Sequence, residues 1–172
     1  MTIPTLINKT QNHEHLSRLR KVYSTMAQAT NKIIFEEGTP KNVWASSISN
    51  VYDMYRKHLS VAHDCGSTGT TSCIGYTFTN FGNFDAPYYM RLVLNDGTIV
   101  NFAELQSSCS AWGNDICEWL DVDINGIKGP NKPGIDIWAF NLTANGLIPA
   151  NCDAPCTGVY CTCKVLREGK ID

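Results

Sequence analysis

Eight cysteines are the residues in this sequence best placed to do chemistry: Cys65, Cys73, Cys109, Cys117, Cys152, Cys156, Cys161 and Cys163. Their even number, confined to the C-terminal two-thirds of the chain, suits an exported protein with oxidised thiols. In the densest group, Cys152-x3-Cys156-x4-Cys161-x-Cys163, the second pair is C-x-C and no histidine lies downstream of residue 63. Zinc knuckles use paired C-x2-4-C spacings, often with histidine supplying other ligands, so disulfides fit this pattern better than metal. Cys65 and Cys73, like Cys109 and Cys117, are eight residues apart, a span that closes a local loop. Each such bond contributes roughly 2–3 kcal/mol by restricting the unfolded chain. Spacing alone leaves the connectivity open.

Oxygen ligands gather once, in Asp121-Val122-Asp123-Ile124-Asn125-Gly126. Asp-x-Asp-x-Asn-Gly matches positions one, three, five and six of a calcium loop, where alternate residues supply hard oxygens and glycine makes the turn. The twelfth position is Lys132 in place of a bidentate Glu, and the loop falls between expected strands, so this is not an EF-hand. A looser calcium site would use Asp121, Asp123 and Asn125 and recruit Asp136. The competing reading is a hairpin loop whose Asp and Asn side chains bond their own backbone. His13, His15, His58 and His63 read as solvated helix histidines, because His13-Glu14-His15 lacks the H-E-x-x-H spacing that puts two imidazoles on one face. No cysteine is marked as an activated nucleophile. No nucleophile elbow, phosphate loop or dinucleotide fingerprint occurs, and the expectation is a protein that is not an enzyme and has no certain cofactor, calcium apart.

The elements that must position these residues change character along the chain. Its 172 residues carry a formal charge of −2 with only 17% charged residues, which argues against nucleic acid as a partner. No run of about eighteen apolar residues is present to span a membrane. Leu16, Leu19, Tyr23, Met26, Thr30 and Ile33 fall at 3-4-3-4-3 spacing, which predicts one long amphipathic helix over residues 8–37. Gly38 is its expected stop, with Pro40 beyond. A second helix is expected over 43–62, with Ile48, Val51, Tyr52, Tyr55 and Leu59 on its apolar side, then a Gly/Ser/Thr-rich loop over 64–72. From there the period shortens. Residues 76–79 read as a short strand, and 88–94 with 99–102 as a hairpin about Asn95-Asp96-Gly97-Thr98. Strands over 118–124 and 135–142 flank a polar Gly/Pro loop, and Asn145-Gly146 turns into Leu147-Ile148-Pro149. Helices first and strands afterwards predict an α+β fold with a small antiparallel meander.

Two stretches resemble a known family. Met1-Thr2-Ile3-Pro4-Thr5-Leu6-Ile7-Asn8-Lys9-Thr10, with Leu19-Arg20-Lys21-Val22-Tyr23-Ser24-Thr25-Met26-Ala27-Gln28-Ala29, resembles bacterial type IV pilin-like proteins and type II secretion pseudopilins. Asp123-Ile124-Asn125-Gly126, Gly129-Pro130-Asn131-Lys132, Gly134-x-Asp136-Ile137 and Asn145-Gly146-Leu147-Ile148-Pro149 resemble the C-terminal sheet of that family. Residues 40–117 carry little of the likeness. It implies a subunit made as a membrane-anchored precursor, cut by a prepilin peptidase and assembled through N-terminal helices. The processing glycine, the Phe and Glu that follow it and the apolar stretch do not occur here, so none of those roles transfers to a position of this chain. Some pseudopilins bind calcium in the C-terminal sheet, which the resemblance extends to the Asp121 loop without a residue-by-residue match.

The expected fold is therefore α+β, a long N-terminal helix packed on a small antiparallel sheet, pilin-like and disulfide-rich. Residues 1–38 would form the soluble half of a spine helix, and 39–172 a head with a helical insertion and a C-terminal β-meander. The expected function is structural: a pilin or pseudopilin of a type IV pilus or type II secretion pseudopilus. Other such subunits would be its partners, and an N-terminal helix preceding Met1 its link to the membrane. Its place would be the cell surface, periplasm or extracellular space, and the full-length form would be a single-pass membrane protein. The alternative is a secreted calcium- or ligand-binding module of the cell surface.

Overall fold

A computed structural model describes residues 3–40, 47–75, 89–105, 109, 115–152 and 155–171. Helix α1 (Ile3–Glu37) is followed by α2 (Ile48–His58), strand β1 (Val61–Gly66) and a short helix α3 (Thr70–Ile74). Strands β2 (Met90–Leu94), β3 (Ile99–Leu105), β4 (Ile116–Asp123), β5 (Ile137–Thr143) and β6 (Gly146–Pro149) come next, and a 3-10 turn leads into α4 (Thr162–Glu168). All six strands pair in chain order as one antiparallel sheet. The architecture is α+β.

Helix α1 has 35 residues, about 52 Å at 1.5 Å per residue. It stops where expected: Gly38 takes φ 93°, and its N–H bonds the Ile34 carbonyl at 3.0 Å. Its buried stripe is Leu16, Leu19, Val22, Met26, Ala29, Thr30 and Ile33. Tyr23, expected within the stripe, lies half-buried at its margin and stacks on Phe140 of β5 with ring centres 5.8 Å apart. A period of 3.6 spreads the covered face beyond a strict 3-4 repeat, which brings in Val22 and Ala29. Arg20, Lys21 and Gln28 point to solvent.

Alternation along the strands divides the sheet into two faces. Leu92, Val100, Phe102, Leu120, Val122, Trp138, Phe140 and Leu142 share the inner core with α1 and with Val51, Tyr52 and Tyr55 of α2. Val93, Ile99, Ile137 and Ala139 form the outer core, closed by Cys65, Ala150 and Val159 with Cys73, Ile74 and Trp119. With both faces covered, every residue of β4 except Trp119 is buried. The Asn95–Thr98 turn forms as predicted, with Gly97 at φ 88° and its N–H bonded to the Leu94 carbonyl.

The second helix is shorter than expected. Ser47 caps α2 by accepting from the Ser49 N–H, and the backbone turns extended at Leu59. Residues 61–66 then join the sheet edge as β1, Val61 opposite Leu94 and Asp64 opposite Leu92. His63 is therefore a strand residue, not a helical one. His63 is exposed, as expected, whereas the His58 side chain is only 15% exposed and lies 3.2 Å from Glu36. Tyr52 ties α2 to β1 by donating to the Asp64 carboxylate and accepting from the Gly66 N–H. The loop expected over 64–72 is partly ordered, since β1 runs to Gly66 and α3 returns Cys73 to Cys65. The strand expected over 76–79 lies outside the described residues.

Four disulfides form: Cys65–Cys73, Cys109–Cys117, Cys152–Cys163 and Cys156–Cys161. Helix α4 was not foreseen. Thr162 anchors its start from a fully buried position, donating to the Val159 carbonyl and accepting from the Ala139 N–H of β5.

Candidate functional site

The segment joining β4 to β5 holds most of the oxygen-rich residues. Asp123 and Asp136 are fully buried. Asp123 Oδ1 accepts from the N–H groups of Asn125 (3.0 Å) and Gly126 (2.7 Å). Asp136 accepts from Asn131 N–H at 2.8 Å and Lys132 N–H at 2.6 Å, while its own carbonyl receives Ile124 N–H. Each carboxylate thus organises one half of the loop through backbone amides. Gly126, at φ 59°, packs so close to the Gly97 carbonyl that an added Cβ would overlap it, so only glycine fits. Asn125 donates to the Gly129 carbonyl at 3.0 Å. Its own Oδ1, and that of Asn131, are buried without a partner.

Asp121 stands apart from this loop. Two residues before Asp123 on the same face of β4, it lies roughly 6–7 Å back along the strand. Its carboxylate accepts from Trp119 Nε1 at 2.9 Å and is 4% exposed. Burial raises its pKa from about 3.8 to about 7, against a smaller lowering by the Trp119 hydrogen bond. Across the sheet it faces Asn101 of β3 and Ala139 of β5. Both polar atoms of the Asn101 side chain are buried without a partner. Of the four residues expected to bind calcium, Asp123, Asn125 and Asp136 therefore share a loop and Asp121 sits within the sheet. Among the described residues, no group of three or more Asp, Glu, His or Cys side chains is placed to hold a metal ion.

A second polar group lies on the inner face, where sequence reading did not look. Thr30 Oγ1 donates to the Met26 carbonyl at 2.8 Å and meets the Tyr55 hydroxyl at 2.5 Å. The Thr30 proton is already committed, so Tyr55 is the donor in that second contact. Burial holds the Tyr55 pKa well above its ordinary value, and the nearby Glu118 charge raises it further. Glu118 is itself fully buried in β4. The signal available in sequence was a polar residue at an inward position of a strand, and only pairing shows which way it points. The Thr30–Tyr55 bond links α1 to α2.

The comparisons with known proteins add no relative: no family model matches the chain, and neither a curated protein nor a solved structure matches it significantly.

The buried Asp121 makes a test with a defined sign. Its folded pKa lies above its unfolded value, so its proton is held more tightly in the folded state. Below about pH 4 it has no effect on stability. Between pH 4 and 7 the unfolded chain ionises first, and stability falls by an amount of the order of 4 kcal/mol. Above pH 7 the loss is constant. Asp121→Asn keeps an acceptor for Trp119 and removes the titration. In urea melts, the advantage of the variant over the parent should grow from pH 4 to 7 and then level off. A difference independent of pH would show that Asp121 is ionised throughout.

Proposed function

We propose that this chain is a pilin-like subunit of a type IV pilus or type II secretion pseudopilus, assembling through α1. The observation that carries this reading is the extent of α1 beyond its own core. The helix begins at Ile3, and among the residues whose burial is described, from Thr10 onward, the first in the core is Leu16. Those 13 residues represent about 20 Å of helix at 1.5 Å per residue. The stripe over 16–33 packs on the sheet and α2, and the assembly proposed here uses the turns that precede it. Four disulfides support an exported head, because such bonds persist in oxidising compartments. Antibodies raised against the folded protein should decorate surface filaments or a membrane-embedded assembly in the cell that makes it. Deleting the prepilin peptidase should abolish that labelling. Freely secreted antigen, indifferent to the peptidase, would contradict the reading.

One observation favours the second reading, a secreted cation-binding module. The unpartnered Asn125 and Asn131 oxygens lie in the same loop as two carboxylates, and hard oxygens of this kind suit calcium. On that reading, calcium at 100 times its dissociation constant adds about 2.7 kcal/mol. The melting temperature should then stand several degrees higher in millimolar calcium than in excess chelator. Superimposed melting curves would leave the loop closed by its own hydrogen bonds alone.

A further inference from the structure

The connection between β4 and β5 is bounded by acids that do not reach its surface. Asp123 and Asp136 are fully buried, held by the backbone amides of Asn125, Gly126, Asn131 and Lys132. Residues 124–135 contain no acid, and their exposed members are Ile127, Lys128, Pro130 and Lys132. Ile127 is 69% exposed, on a 3-10 turn that the Asn125 side chain braces through the Gly129 carbonyl. Neither lysine is ion-paired among the described residues. The fold thus turns the carboxylates inward and leaves a braced tip that is apolar and cationic.

That tip lies towards the start of α1. Ile99 pairs with Asp123, so the β2–β3 turn and the β4–β5 connection leave the same end of the sheet. Lys21 of α1 reaches Asp96 in that turn at 2.8 Å. The connection meets α1 earlier, where Gly129 and Pro130 share a cleft of about 450 Å³ with Gln11, Asn12 and His15. Asn12 donates there to the Ile171 carbonyl at 3.4 Å. From Lys21 back to Gln11 is about 15 Å along the helix. The connection therefore reaches past the end of the sheet towards the helix start, alongside the chain's last residues.

We propose that this tip is a lipid-contact site, with Ile127 entering the headgroup layer of an anionic bilayer while Lys128 and Lys132 meet its phosphates. The proposal rests on the assembly reading, in which a membrane helix precedes Met1. The sequence is apolar at Met1, Ile3, Leu6 and Ile7 and turns polar at Asn8. From Asn8 to the cleft between Gln11 and His15 is about 5–10 Å of helix. The headgroup layer on each side of the hydrocarbon core is about 5–8 Å deep, so a helix near the bilayer normal holds the tip at headgroup height. Each lysine near an anionic leaflet strengthens binding about five-fold, and an apolar side chain at the interface adds to that. An acidic protein would engage the lysines alone; the exposed isoleucine favours lipid. Two lysines fall short of the roughly four to eight that read as a lipid-binding cluster. The tip therefore orients a head that its anchor already tethers.

A tether can stand in for the anchor, so the contact is tested apart from the assembly. A histidine tag at the N-terminus holds the protein on vesicles that contain a nickel-chelating lipid. Their bulk is phosphatidylcholine brominated near the headgroup, with or without phosphatidylglycerol. Ile127→Trp places a fluorophore at the tip, and Phe35→Trp places one at the far end of α1, where the native side chain is 90% exposed. On phosphatidylglycerol vesicles, bromine should quench the tryptophan at 127 several-fold more than the one at 35, after subtraction of the tagged parent. Adding Lys128→Glu and Lys132→Glu should remove most of that quenching, as should omitting phosphatidylglycerol. Equal quenching at the two positions, none at 127, or quenching indifferent to lysine reversal or to the anionic lipid would overturn the contact. Filament labelling judges the assembly reading separately, so either can fail without the other.

Discussion

The seam between the apolar stripe of α1 and the inner face of the sheet is the contact on which the rest of the structure depends. Leu19, Met26 and Ile33 are fully buried in it, as are Trp138, Phe140 and Leu142 of the sheet. Burying a side chain of this size contributes about 1.5–3 kcal/mol. The six together contribute about 9–18 kcal/mol before the entropy of ordering the chain is set against it, as much as the roughly 5–15 kcal/mol net stability of a domain. The seam also fixes the direction of the helix. Lys21 meets Asp96 at one end of the sheet, and Ile34 borders Gly146 at the other. The seam uses the last two-thirds of α1, and the assembly proposal assigns the turns before it to other copies.

The disulfides act on the opposite face. Cys65–Cys73 brings α3 against the outer core, and the two C-terminal bonds hold the segment from which Val159 reaches the same core. Trp119 meets Tyr160 of that segment edge to face at 5.1 Å. These covering pieces are short and irregular, with little apolar area of their own. Cross-linking offsets the entropy they would otherwise regain on peeling away. Covering the face also buries Asp121 and Asn101, which explains a carboxylate ionising near neutrality in a sheet with no metal-binding cluster among its described residues.

Local chemistry was legible in the sequence, and non-local pairing was not. The Asn95–Thr98 turn, the Gly38 stop and most of the α1 stripe depend on residues within one or two turns of each other. The end of α2 depends on Val61 finding Leu94, more than thirty residues away, so helical periodicity overran it. The strand over 118–124 and the oxygen-rich segment were both legible; what spacing did not show is that Asp121, inside the covered strand, bonds Trp119 and stands apart from the loop that Asp123 and Asp136 organise. Helix α4 was hidden by its cysteines, which read as a framework and not as an element. The cleft beside His15 draws on α1, the β4–β5 loop and the chain's last residues, three segments that only the fold brings together.

The central claim is that α1 and the sheet form one cooperative unit through this seam. Hydrogen exchange on Leu19→Ala, alongside Phe35→Ala as a surface control, tests it most directly. Removing Leu19 should cost about 2–5 kcal/mol, and the amides of β4 and β5 should lose protection by the same amount as those of α1. Phe35→Ala should change neither by more than about 0.5 kcal/mol. If Leu19→Ala released α1 while β4 and β5 kept their full protection, the sheet would stand without the helix and the claim would fail.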